Sequence, residues 1–103
     1  MRFMIKASLS TEAANATIKN GTLPTIIQSI MEEQKPEAAY FMVDNGTRTA
    51  YVFVDIQETS EIPKMAEPWW LAFNAHVEIH PAMTAEDLGK AGPDIHAAVE
   101  KYG

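Results

Sequence analysis

The chain has 103 residues, of which 47% are hydrophobic, and 14 acidic against 8 basic side chains give it a net charge of -6. That length and hydrophobic share suit the core of one domain and exclude a disordered chain. The acidic balance, with basic residues scattered singly from Arg2 to Lys101, excludes nucleic acid and anionic membrane surfaces as partners; the absence of cysteine excludes disulfides, thiolate nucleophiles and Cys-based metal sites.

The N-terminal stretch MRFMIKASL has a basic start, but Lys6 interrupts its apolar run, so no secretory leader is expected. Apolar runs such as residues 38–43 are far too short to span a bilayer, and a cytoplasmic location is expected. Residues 2–9 alternate with period two. Phe3, Ile5, Ala7 and Leu9 fall on one face, and Met4, Lys6 and Ser8 on the other, which predicts a strand. Ser10 or Thr11 is placed to cap a short helix ending at Asn20-Gly21. Leu23, Ile26, Ile27, Ile30 and Met31 then recur at helical spacing, with Pro24 tolerated in the first turn. The two segments read as one bent helical region covering a sheet.

Residues 38–44 and 48–57 are the clearest strands, joined by Asn45-Gly46, a pair that readily takes positive φ at both central positions of a hairpin turn. Ser60 is the predicted cap of a further helix carrying Ile62, Met65, Ala66, Trp69 and Phe73. Pro68 within it is expected to kink or restart the helix. Residues 75–80 (AHVEIH) read as a fourth strand. Thr84 to Asp87 resembles a capping box, and a helical tail broken at Gly92-Pro93 runs to about Tyr102.

The order strand, helix, strand, strand, helix, strand is that of a ferredoxin-like βαββαβ unit with a four-stranded antiparallel sheet. It predicts a single α+β domain over residues 1–103, with a core over about 2–82 and a helical tail over about 84–102. Right-handed crossovers place the first and third strands centrally. The helix-facing set is expected to be Phe3, Ile5, Ala7, Phe41, Val43, Val52, Val54, Val77 and Ile79. The opposite face then carries Met4, Lys6, Tyr40, Met42, Tyr51, Phe53, Asp55, His76, Glu78 and His80. Such a face is too apolar for bare water and too polar for an ordinary core, which predicts a homodimer packing sheet against sheet.

With these elements in place, the chain resembles the dimeric α/β-barrel superfamily over about residues 2–82. The stretches AEPWWLAF and HVEIHPAMTAEDLGKAGPDIHAAVEKYG resemble a bacterial group near the muconolactone-isomerase-like, antibiotic-biosynthesis-monooxygenase-like and YCII-related proteins. The resemblance implies a small-molecule cavity between the sheet and its partner. No catalytic set carries over residue by residue; no histidine precedes His76, whereas YCII-related proteins use one nearer the N-terminal half.

The residues themselves offer one constellation with chemistry in it, His76-Val77-Glu78-Ile79-His80, whose three polar side chains share a face. Neighbours two apart on a strand are about 6.6–6.8 Å apart, so His76 with Glu78, or Glu78 with His80, could hold one metal ion between two ligands or act as a proton-transfer pair. His76 and His80 are about 13 Å apart, too far to share one ion, and this strand supplies no third ligand, so no metal is assigned. Lys6, on the adjacent strand, either pairs with Glu78 or binds a ligand carboxylate or enolate oxygen. The expected catalytic residues are therefore His76, Glu78 and Lys6. Tyr40, Met42, Tyr51, Phe53, Trp70 and His80 are expected to contact a small apolar or aromatic ligand, with Trp70 capping a pocket or the dimer contact. His96 reads as a surface residue. No phosphate loop, nucleophile elbow, zinc-protease helix or calcium loop occurs, so no cofactor is expected. Two functions stand: a small-molecule-binding protein or cofactor-independent enzyme, isomerase- or monooxygenase-like, and a non-catalytic dimeric module for structure, interaction or ligand sensing.

Overall fold

A computed structural model describes all 103 residues, Met1–Gly103. Four strands, β1 (Arg2–Ser8), β2 (Ala38–Asp44), β3 (Thr47–Asp55) and β4 (His76–Pro81), form one antiparallel sheet in the order β2-β3-β1-β4. Helices α1 (Thr11–Lys19) and α2 (Leu23–Gln34) connect β1 to β2, and α3 (Ile62–Phe73) connects β3 to β4. This is the ferredoxin-like arrangement that the element order predicts, with β1 and β3 central. Beyond β4, α4 (Ala85–Lys90) and α5 (Gly92–Tyr102) form a tail.

Local chemistry sets the element ends. The Ser10 hydroxyl accepts the Ala13 amide hydrogen bond at the start of α1. Asn45 and Gly46 both take positive φ in the β2–β3 turn, as the sequence predicts. Thr84 and Asp87 complete a reciprocal capping box at α4, an Asp serving where Glu or Gln is usual. Two expectations are corrected. A single 3-10 turn, Thr59–Glu61, precedes α3, and Glu58 with Glu61 forms its capping box, so Ser60 lies within the turn and is not the cap. Helix α3 also does not restart at Pro68: it is continuous from Ile62 to Phe73.

The helices cover the face of the sheet that carries Phe3, Ile5, Ala7, Ala50, Val52 and Val54. Those side chains are buried with Ile30, Met65, Trp69 and Phe73. The aliphatic assignment fails at one place: Phe41 and Val43 are 55% and 75% exposed. They lie on the outer part of edge strand β2, beyond the reach of α1 and α2. The alternation fixes which side of the sheet a residue takes, but not whether a helix extends over it.

No residue after Ala75 is buried, so the tail adds nothing to the core. The molecule is correspondingly long, 59 × 28 × 20 Å, with a radius of gyration of 17.1 Å. A compact chain of about 100 residues has about 13 Å. No helix is long and apolar enough to cross a membrane.

Candidate functional site

The register lays the open face out as a grid. One row runs Tyr40, Tyr51, Lys6, Glu78 across β2, β3, β1 and β4. On one side of it lies the row Met42, Thr49, Ser8, His76, and on the other Ala38, Phe53, Met4, His80. Lys6 therefore stands near the middle of the sheet, and its side chain retains only 19% of its exposure. The face around it is aromatic and methionine-rich, as the alternation predicts.

Lys6 is the centre of a polar cluster. Its Nζ lies 3.1 Å from Asp44 Oδ2 and 3.9 Å from Glu78 Oε2, and 5.8 Å from the centre of the Tyr51 ring, within cation–π range. The Tyr51 hydroxyl donates a short hydrogen bond to the same Asp44 carboxylate. On the far side, Glu78 Oε1 lies 3.6 Å from His80 Nε2. No three His, Asp or Glu side chains are grouped to hold a metal ion.

The charge states follow from these contacts. The hydrogen bond from Tyr51, then that from Lys6, holds the Asp44 carboxyl below its usual range. The hydrogen bond to Asp44 raises Lys6, and the same carboxylate raises the Tyr51 phenol. At neutral pH the cluster is thus an ammonium, a carboxylate and a neutral phenol. Lys6 is suited to hold an anionic oxygen and unsuited to act as a base.

The pH dependence has a definite sign. Lys6 and Tyr51 have raised values, so the stability they contribute is present below their ordinary 10.5 and 10.0 and is lost as pH rises through the raised values. Asp44 is lowered, so its contribution is present above 3.8 and lost as pH falls through the lowered value. We expect ultraviolet titration to place one phenol's ionisation above 10.0, and Asp44→Asn to move it down. An unchanged titration curve in the variant would break the assignment of the Tyr51–Asp44 bond.

The residues singled out in the sequence are distributed as follows. Lys6, Glu78, Tyr51 and His80 come together, and Tyr40, Met42 and Phe53 lie on the same face around them. His76 sits at the opposite end of β4 from His80, across from Ser8, and belongs to none of the ion pairs. Trp70 is exposed on α3, in the helical layer on the other side of the sheet from Lys6. Asp44 was missed, and the signal for it was present: it continues the Tyr40, Met42 alternation along β2. The largest concavity lies elsewhere. A groove of about 610 Å³ opens at the hairpin end of the sheet, between α2 and β2, lined by Leu9, Leu23, Pro24, Ile27 and Phe41 among others.

Among solved structures, the chain matches 5-chloro-2-hydroxyhydroquinone dehydrochlorinase from Burkholderia phenoliruptrix, in complex with 2,5-dihydroxybenzoquinone. The identity is 13% and the TM-score 0.64, over 84% of this chain and 97% of that one. At that identity the likeness is one of fold, and it fits the ferredoxin-like fold expected from the sequence. A formyltetrahydrofolate deformylase from Pseudomonas putida matches at 15% identity and a TM-score of 0.47, over 80% of this chain, which spans 29% of that one. A de novo designed protein matches at 8% identity and the same TM-score, over 79% of this chain and 85% of that one. No curated protein matches the chain. A family model matches residues 1–95, nearly the whole chain, and the protein therefore belongs to the family described as Domain of unknown function (DUF3303).

Proposed function

We propose that the open sheet face is the wall of a small-molecule site, closed by the same face of a second copy of the chain. The observation that carries this reading is the Lys6 ammonium, kept charged by Asp44 and surrounded by Tyr40, Tyr51, Phe53 and Met4 on a face that no helix covers. An ammonium among aromatic rings suits a small planar ligand with an ionised oxygen, such as an enolate, a phenolate or a hydroxyquinone. The fold likeness to a protein that holds 2,5-dihydroxybenzoquinone supports a ligand of that size.

Lys6 binds the anionic oxygen, and Tyr51 lies beside it as a neutral donor. Proton transfer, if the ligand is turned over, falls to the Glu78–His80 pair, 3.6 Å apart; His76 stands too far along β4 to join it. Chemistry of this kind is cofactor-independent proton movement at an activated carbon, as in an isomerase or a dehydrohalogenase. The competing reading is a non-catalytic dimeric module. It is favoured by one observation, that Asp44 and Glu78 already neutralise Lys6.

The test is an amide NMR titration with 2,5-dihydroxybenzoquinone as the probe. Binding at the proposed site moves the resonances of Lys6, Tyr51 and Glu78 in a saturable way. Movement confined to Leu23, Ile27 and Phe41, or none at all, would reject the site.

A further inference from the structure

Two apolar features lack a partner within one copy of the chain. The first is the tail helix α5. Ile95, Val99 and Tyr102 are 51%, 61% and 80% exposed and recur at intervals of four and three. On a helix this spacing makes one narrow apolar stripe. The second is the groove between α2 and β2, where Leu23, Pro24, Ile27 and Phe41 form an open apolar trough.

We infer that α5 of one copy lies in this groove of a second copy, so that the two tails are exchanged across the dimer. The inference rests on the self-pairing proposed above and adds a second contact to it. Two observations support a second copy as the occupant. The surface is large for a compact monomer: the chain exposes 6878 Å², where a compact protein of 11.4 kDa exposes about 5,800 Å². The excess, about 1,100 Å², is the order of what each partner buries in a stable interface, about 800 Å².

The chain's own groove is also on the wrong edge. The tail leaves β4 and the groove flanks β2, and these are the two outer strands. When two sheets face each other about a two-fold axis along the strands, β4 of one copy comes beside β2 of the other; the tail leaves at the Pro81 end, beside Ala38, so α4 and α5 run back along β2 to reach the groove at its hairpin end. Pairing of α5 with α5 is the weaker choice, because 11 residues are too few for a helix that must make its own surface. A preformed trough that receives side chains at i, i+4 and i+7 removes that difficulty.

The chain has no cysteine, so introduced thiols report cleanly. Val99→Cys and Phe41→Cys proteins, prepared separately, mixed and oxidised, are expected to give an interchain disulfide between unlike chains. Covalent dimers from Val99→Cys alone, or no interchain product on mixing, would overturn the inference. A light-scattering dilution series adds a second measure. The pair Ile95→Glu and Val99→Glu, on a helix that makes no core contacts, is expected to raise the dimer dissociation constant about tenfold or more. If these charges leave the constant unchanged while Tyr40→Glu on the sheet face raises it, the tail exchange is wrong and the sheet pairing stands. If Tyr40→Glu has no effect and the tail charges do, the sheet pairing is wrong and the tail contact stands.

Discussion

Replacing Trp69 with alanine is expected to cost about 3–5 kcal/mol of folding stability. Trp69 is completely buried on the inner side of α3, and its ring lies 6.1 Å from that of Phe73, tilted by 32°. Together the two rings fill the layer between α3 and the β1–β3 centre of the sheet, with Ile5, Val52 and Val54 beneath. Alanine removes the largest fully buried side chain and leaves a cavity that a close-packed core closes only in part. A domain of this size has about 5–15 kcal/mol in all, so the variant should sit close to unfolding. Phenylalanine at the same position should cost less. It keeps most of the packing and removes an indole N–H that is buried without a hydrogen-bond partner. Urea denaturation checks both, and a loss below about 1 kcal/mol for the alanine variant would contradict the place given to Trp69 in the core.

The second large effect is on binding. Lys6→Met keeps the length and apolar stem of the side chain and removes the charge. The Tyr51–Asp44 hydrogen bond remains available, so the β2–β3 hairpin should persist. A charge-assisted hydrogen bond to a ligand oxygen is about twice as strong as a neutral one. Its loss should weaken binding of 2,5-dihydroxybenzoquinone by about tenfold or more, read by calorimetry. Asp44→Asn should act differently. It leaves the ammonium in place and frees it from a competing carboxylate, so binding of an anionic ligand is expected to hold or strengthen. Equal weakening in both variants would point to general damage to the face and not to a specific contact with Lys6.

Much of the architecture can be read from the sequence because it rests on local rules. Period-two alternation separates Lys6 from Ile5 and Tyr51 from Val52, and Asn45-Gly46 pins the register of the hairpin that carries both Asp44 and Tyr51. What escapes the sequence depends on distance. Phe41 and Val43 have the alternation of core residues, yet α2 ends its cover short of them. Strand pairing matches Lys6 to its lateral neighbour Glu78, but the long side chain reaches diagonally to Asp44, which it meets at 3.1 Å against 3.9 Å for Glu78. His76 and His80 are equivalent by spacing from Glu78; side-chain placement pairs only His80 with it. The tail is legible as helix from Thr84 and Gly92-Pro93. That it extends away from the body is a property of the whole chain, seen in the 59 Å length and in nothing local.

The proposed site requires that two Lys6 faces enclose space and that the space holds an anion. A crystal structure of the protein grown with 2,5-dihydroxybenzoquinone tests both at once. The account predicts two copies with their sheets facing and ligand density between them, within hydrogen-bond distance of Lys6 Nζ. A face filled by the partner's side chains with no cavity, or copies that leave the Lys6 face in solvent, would contradict it.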